Sequence, residues 1–169
     1  TAVTLPQFQQ RTKTVEIQDH IRNVVNRIEA NSQQTTPNTL LTGLSNLDEL
    51  TTGFSPGDLV IVAGRPGMGK TAFALNLAAN ITQRNQRVAF FSMEMTDEQC
   101  VHRLIAMLTG IPTDRIRMGV QADEDWQGII SAANDIYGWN MYLDDTPAMN
   151  VDTFAANVRM THEQSPLSV

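Results

Sequence analysis

The sequence predicts an α/β domain with a mainly parallel sheet, preceded by a separate amphipathic helix. Three observations carry this expectation. From about residue 40 onward, short β-branched runs alternate with segments of helical period. A glycine-rich loop, Gly64-Arg-Pro-Gly-Met-Gly-Lys-Thr71, joins one such run to one such helix. Ahead of both, a polar stretch containing Pro37 sets an isolated apolar stripe apart from the rest.

The elements follow in chain order. Residues Thr1 to Lys13 are polar, with Pro6 and several glutamines, and read as an extended or disordered lead-in. Between Thr14 and Ala30, Ile17, Ile21, Val24, Val25 and Ile28 recur at spacings of three and four. Glu16, Asp19, Arg22, Asn26 and Arg27 fill the other face. This pattern predicts an amphipathic helix of about four turns, followed by a linker over Asn31 to Asn38. Residues 1–39 are therefore read as lead-in and linker helix, and 40–169 as the α/β domain. An apolar stripe set apart in this way must be buried against its own domain or against a neighbouring subunit, and the spacing leaves both open.

Within the domain, Asp58-Leu-Val-Ile-Val-Ala63 is a continuous apolar run entered through a Pro56-Gly57 turn, as expected of a buried parallel strand. Lys70 to about Arg84 has helical period, with Phe73, Leu77 and Ile81 on one face. Val88 to Met93 reads as a second strand and Asp97 to Leu108 as a helix that Gly110-Ile-Pro112 ends. A helix over Asp123 to Tyr137 and a strand over Asn140 to Leu143 come next. Val151 to Thr161 then forms a helix capped by Asn150. Leu167-Ser-Val169 has the composition of a strand beginning. No internal repeat is present.

Composition limits the function classes. A chain of 169 residues, 41% hydrophobic and 18% charged, is of ordinary globular make-up and long enough for one domain with an appendage. The formal charge of −6 gives no support for a basic nucleic-acid-binding module. No apolar run reaches bilayer length, and no secretory pattern opens the sequence. Cys100 is the one cysteine, so no internal disulfide forms, which suits a reducing cytoplasm. The expectation is a cytoplasmic protein with no membrane partner.

Gly64 to Thr71 fits the phosphate-loop pattern G-x-x-x-x-G-K-[ST] at every position. Gly64, Gly67 and Gly69 let the loop wrap so that successive backbone amides, including those of Arg65 and Met68, face phosphate oxygens. Pro66 is the one position in the loop without an amide hydrogen. The start of the following helix, Lys70-Thr71-Ala72, adds unpaired amides and the positive end of the helix dipole. Lys70 can reach the β- and γ-phosphates of ATP or a related triphosphate, and the Thr71 hydroxyl can take a position on Mg²⁺.

Glu94 follows the second predicted strand, where parallel sheets open onto their ligand crevice. It either orients the water that attacks the γ-phosphate or caps the helix beginning at Asp97; spacing alone leaves the two level. Asp144 and Asp145 end another strand; Pro147 favours a solvated turn there over a water-mediated Mg²⁺ site. His20, His102 and His162 lack metal-ligand spacing. Trp126 and Trp139 are expected in the core, with Met93, Met95, Met107 and Met118 as filling.

Four stretches together resemble the DnaB family of replicative DNA helicases: Thr42-Gly-Leu-Ser-Asn-Leu-Asp48, Gly53-Phe-Ser-Pro-Gly-Asp-Leu-Val60, Arg65-Pro-Gly-Met-Gly-Lys-Thr71 and Phe91-Ser-Met-Glu-Met95. The similarity runs more weakly through Gln99 to Arg103, Asp123 to Trp126 and Tyr142 to Asp145, covering roughly Leu41 to Val169. The resemblance implies a RecA-like ATPase domain of a homo-hexameric motor that encircles single-stranded DNA at a fork. It places Lys70 and Thr71 on nucleotide and Mg²⁺ and Glu94 as the catalytic glutamate, and it matches Arg103 to a family arginine on the following helix, with no role beyond support of the site. It makes the first helix the linker helix that docks on a neighbouring subunit, and it brings primase and a helicase loader as partners. By the same resemblance, residues 40–169 are an incomplete motor domain that does not unwind DNA alone, with DNA contacts made elsewhere. The alternatives are a RecA-like recombinase or signalling ATPase, and a nucleotide switch that assembles or loads other proteins.

Overall fold

The computed structural model describes residues 17–33, 39–120 and 122–169. The expected lead-in at 1–13, the start of the linker helix at 14–16 and the polar segment at 34–38 lie outside the described residues. The described residues fall into two units, which divide between 33 and 39.

In the first unit, α1 spans Ile17–Gln33. It runs past Ala30 into the stretch read as linker, since no proline or glycine interrupts it there. Its stripe is uncovered, with Ile17 69% and Ile28 63% exposed.

The second unit holds α2 (Ser45–Thr51), α3 (Lys70–Thr82), β1 (Val88–Phe91), α4 (Asp97–Thr109), α5 (Thr113–Met118), α6 (Asp123–Tyr137), β2 (Met141–Asp144) and α7 (Val151–Gln164). β1 and β2 pair in parallel, with Val88 opposite Met141 and Phe91 opposite Asp144. Parallel neighbours need a long crossover, here supplied by α4, α5 and α6. On the other edge of β1, the Ser168 and Val169 amides donate to the Arg87 carbonyl at 2.8 and 3.1 Å. The Ala89 amide in turn donates to the Val169 carbonyl at 2.8 Å. Residues 167–169 form no strand, contrary to expectation, and meet β1 through these bonds.

Leu75, Ala79, Cys100 and Leu104 form the main core, covered by Phe90, Met95, Ile136, Trp139, Met141 and Leu143. Ala78, Ile81 and Val88 form a second cluster beside Leu40. The buried face of α3 therefore runs through Leu75, Ala78, Ala79 and Thr82 together with Ile81, while Phe73 and Leu77 are half-buried. This helix is apolar nearly all round, so spacing does not select its face. The small Ala78 and Ala79 allow close packing and decide it. Burial pushes the Cys100 thiol up from its ordinary value, against a weaker opposing bond to Ser92.

Three further expectations require correction. Asp58 to Ala63 is not a buried strand: it has no strand partner among the described residues, and Leu59 is 87% and Ile61 80% exposed. A strand exists through its neighbours' hydrogen bonds, and β-branched composition does not supply them. Trp126 is 53% exposed, whereas Trp139 does pack on the core. Of the methionines, Met95 packs, but Met93, Met107 and Met118 are exposed. The short helices α2 and α5 have no counterpart in the sequence reading.

The Thr42 to Asp48 stretch forms a tight knot against α3. The Asp48 carboxylate accepts from the Thr42 amide at 2.8 Å, the Thr42 hydroxyl at 2.6 Å and the Gly43 amide at 3.0 Å. Asn80 of α3 donates to the Thr42 carbonyl at 3.1 Å, and Thr42 is wholly buried. Desolvation pulls the Asp48 carboxyl upward, but these hydrogen bonds outweigh it and hold the group below its ordinary value. Gly43 has φ +81°, and a Cβ there would lie 2.8 Å from the Asn80 Cβ. Gly57 has φ +91° with open space around it. Urea unfolding should therefore show Gly43→Ala costing about 1–3 kcal/mol, more than Gly57→Ala. Equal costs would mean that the close approach to Asn80 adds nothing to the backbone strain.

Candidate nucleotide site

The loop from Gly64 to Thr71 follows the exposed 58–63 run and enters α3. Gly67 and Gly69 both take left-handed conformations, with φ +78° and +86°, which glycine adopts without steric cost. Between them the Met68 amide donates to the Arg65 carbonyl at 3.2 Å, closing a turn over Pro66 and Gly67. Residues 64–70 are exposed, and Thr71 and Ala72 are half-buried.

The start of α3 differs from that of the other long helices of this unit. Thr96 caps α4 through a reciprocal box with Gln99, and α4 opens with Asp97 and Glu98. α6 opens with Asp123, Glu124 and Asp125. Asn150 caps α7 by accepting from the Thr153 amide at 2.8 Å, and Asp152 stands in its first turn. By contrast, α3 has Gly69 at its cap, no side-chain cap and no acid in its first turn. Its leading amides and the positive end of its dipole are left for an anion from outside. The Lys70 ammonium bends back over the loop and donates to the Gly64 carbonyl at 3.1 Å, bringing the two ends of the motif together. The Thr71 hydroxyl makes no hydrogen bond among the described residues. The hydroxyls of Thr51, Thr82, Thr109 and Thr161 all bond back to a carbonyl one turn earlier.

Glu94 lies exposed in a bend between β1 and α4. It takes no part in capping α4, which Thr96 and Gln99 accomplish. It has no hydrogen-bond or ion-pair partner among the described residues, so the structure does not tie it to the phosphate loop. Asp144 behaves as a turn residue. Its Oδ1 accepts from the Thr146 hydroxyl and amide at 2.6 and 3.0 Å, and its Oδ2 from Asn157 of α7 at 2.9 Å. Asp145 accepts from the Asp97 amide at 3.1 Å.

A matching sequence family describes this arrangement as the DnaB-like helicase C-terminal domain, over residues 39–169. The chain belongs to this family. A replicative DNA helicase DnaB from Geobacillus stearothermophilus is 40% identical over 129 residues, 76% of this chain. The chain spans 28% of that relative's length. Among solved structures, an ATPase domain superposes with a TM-score of 0.78 at 28% identity, covering 89% of this chain and 53% of that one. A DnaB-like replicative helicase, studied for its interactions with primase, gives 0.79 at 30% identity, covering 89% and 37%. The fold of this DnaB-like chain is thus the RecA-like ATPase fold of those neighbours. No described helix is long and apolar enough to cross a membrane.

Sequence reasoning missed the groove of about 430 Å³ between α4 and α5, lined by Met95, Gln99, His102, Arg103, Thr113 and Arg117. Its far wall is α5, a helix too short to leave a period in the sequence; Pro112 just before it was the available signal. Arg103, which the resemblance matched to a family arginine on α4, lines this groove.

The Thr146 hydroxyl and amide, together with Asn157 and against some desolvation, hold the Asp144 carboxyl below its ordinary value. A depressed carboxylate contributes stability that is complete above its unfolded pKa of about 3.9 and is lost as pH falls through the lower folded value. Urea unfolding between about pH 5 and pH 2 should show a shallower acid decline in Asp144→Asn than in the parent. An unchanged slope would remove Asp144 from the acid response.

Proposed function

We propose that this chain is the nucleotide-hydrolysing part of a ring-forming, ATP-dependent replicative DNA helicase that unwinds duplex DNA at the fork. The observation that carries the reading is the start of α3: an uncapped, acid-free helix N-terminus behind a loop in which Gly67 and Gly69 are already left-handed. In this reading Gly64, Arg65, Gly67, Met68, Gly69, Lys70, Thr71 and Ala72 hold the triphosphate, mainly through backbone amides. Pro66 shapes the turn between them. Lys70 exchanges its bond to the Gly64 carbonyl for phosphate oxygens, so the loop gives up little when a ligand arrives.

Mg²⁺ fits the residues present, because the unbonded Thr71 hydroxyl offers an oxygen at the start of α3 beside the loop. When bound, the ion neutralises charge on the β- and γ-phosphates. Glu94, free of the α4 cap, acts as the general base that orients and deprotonates the attacking water. Such a base contributes about 10²–10⁴ in rate.

The remaining parts of the proposal concern the intact protein. The uncovered stripe of α1 docks on a neighbouring subunit, giving a homo-hexamer, with primase and a helicase loader as further partners in the cytoplasm. DNA is engaged by parts of the protein beyond this acidic chain, whose charge is −6. A recombinase or signalling ATPase would share the phosphate loop, and a nucleotide switch would share it without needing Glu94.

Strand displacement on forked DNA by the intact protein, with ATP and Mg²⁺, tests the reading. The parent should unwind and Lys70→Ala should not. Glu94→Gln should bind nucleotide but lose about 10²-fold or more of its turnover. Hydrolysis without strand separation would favour the recombinase-like reading. Full function of Glu94→Gln would favour the switch.

A further inference from the structure

Glu94 has no side-chain partner among the described residues, so its direction is set by the backbone that carries it. That backbone is held from both ends. Ser92, 8% exposed, stands one residue beyond β1. Its amide donates to the Asp144 carbonyl at 2.8 Å, which anchors it to the end of β2. Its hydroxyl donates to the Met95 carbonyl at 2.6 Å and accepts from the Met95 amide at 3.1 Å. One side chain thereby closes a loop around Met93 and Glu94. Met95 packs on the main core, so the far side of that loop is fixed as well. Immediately beyond it, Asp145 accepts from the Asp97 amide at 3.1 Å, tying the start of α4 to the residue after β2.

We propose that Ser92 is a positioning residue for Glu94, its hydroxyl bracket on Met95 fixing the turn that aims the carboxylate. The inference rests on the general-base reading of Glu94. Asp145 is the weaker, exposed anchor on the helix side of the same turn. A general base acts only within hydrogen-bond reach of its proton, and a displacement of about 1 Å costs on the order of 10²-fold in rate. An unpartnered glutamate on a bend meets that tolerance only if the bend is itself held. A purely structural role would have Ser92 satisfy buried backbone groups and affect stability alone.

Steady-state ATP turnover by the intact oligomeric protein, with single-stranded DNA at saturation, separates these roles. Ser92→Ala should lower kcat by about tenfold to a hundredfold while KM for ATP stays within about twofold. Ser92→Thr, which keeps the hydroxyl, should restore most of the rate. In a Glu94→Gln background, single-turnover rates should show no further loss from Ser92→Ala, because the group it positions is gone. An unchanged kcat in Ser92→Ala, or an equal fold loss in both backgrounds, overturns the proposal and leaves the base reading intact. Parental turnover in Glu94→Gln overturns both. Should Ser92→Ala fail to fold, Asp145→Ala reads the other anchor. It should lower kcat by about threefold in the parent and not in Glu94→Gln, and no loss in the parent overturns the proposal.

Discussion

The parallel pairing of β1 with β2 is the interaction on which the rest of the domain depends. Its register puts Phe91 opposite Asp144, so both chains leave the sheet at the same level and on the same side. Ser92, Glu94, Asp144 and Asp145 therefore share one end of the sheet, although some fifty positions separate the two pairs in sequence. α3 and α4 close over the sheet through Leu75, Ala79, Cys100 and Leu104. A core this small leaves little slack. Loss of the register would uncouple the bend that carries Glu94 from the carbonyl and carboxylate that hold it.

A second organising principle is how each helix satisfies its first amides. Every α-helix begins with unpaired donors, and three of the four long helices in this unit answer them from the sequence. α4 uses Thr96 and Gln99, α7 uses Asn150, and α6 places three acids in its first turn. α3 answers with glycine, lysine and threonine. The exception coincides with the phosphate loop, whose Gly67 and Gly69 are both wound left-handed. A helix end that costs stability in isolation is tolerated where it can bind an anion.

Local chemistry is legible in the sequence, and partnership is not. Residues 64–71, the Asn150 cap, the Gly110 stop and the span of α6 all follow from interactions within a few residues, so their patterns survive in one dimension. The Asp58 to Ala63 run has strand composition, yet a strand depends on neighbours that composition does not name. The face of α3 escapes a sequence reading for a related reason: with apolar residues nearly all round, tertiary packing chooses. Trp126 and Met118 are exposed despite their size, which shows that volume does not imply burial. The role expected of Glu94 comes from the family resemblance alone. The local hydrogen bonds around Ser92 and Asp48 become visible only in three dimensions.

The exposed run at Leu59 to Ala63 also bears on colloidal behaviour. Five successive apolar residues, Leu-Val-Ile-Val-Ala, are exposed and make no backbone hydrogen bonds among the described residues. Such a segment templates edge-to-edge addition. Asp58 on one flank, and Gly64, Arg65 and Pro66 on the other, act as gatekeepers against it. Arg65 and Pro66 thus belong both to the phosphate loop and to the residue types that disfavour strand-to-strand addition of the segment before it.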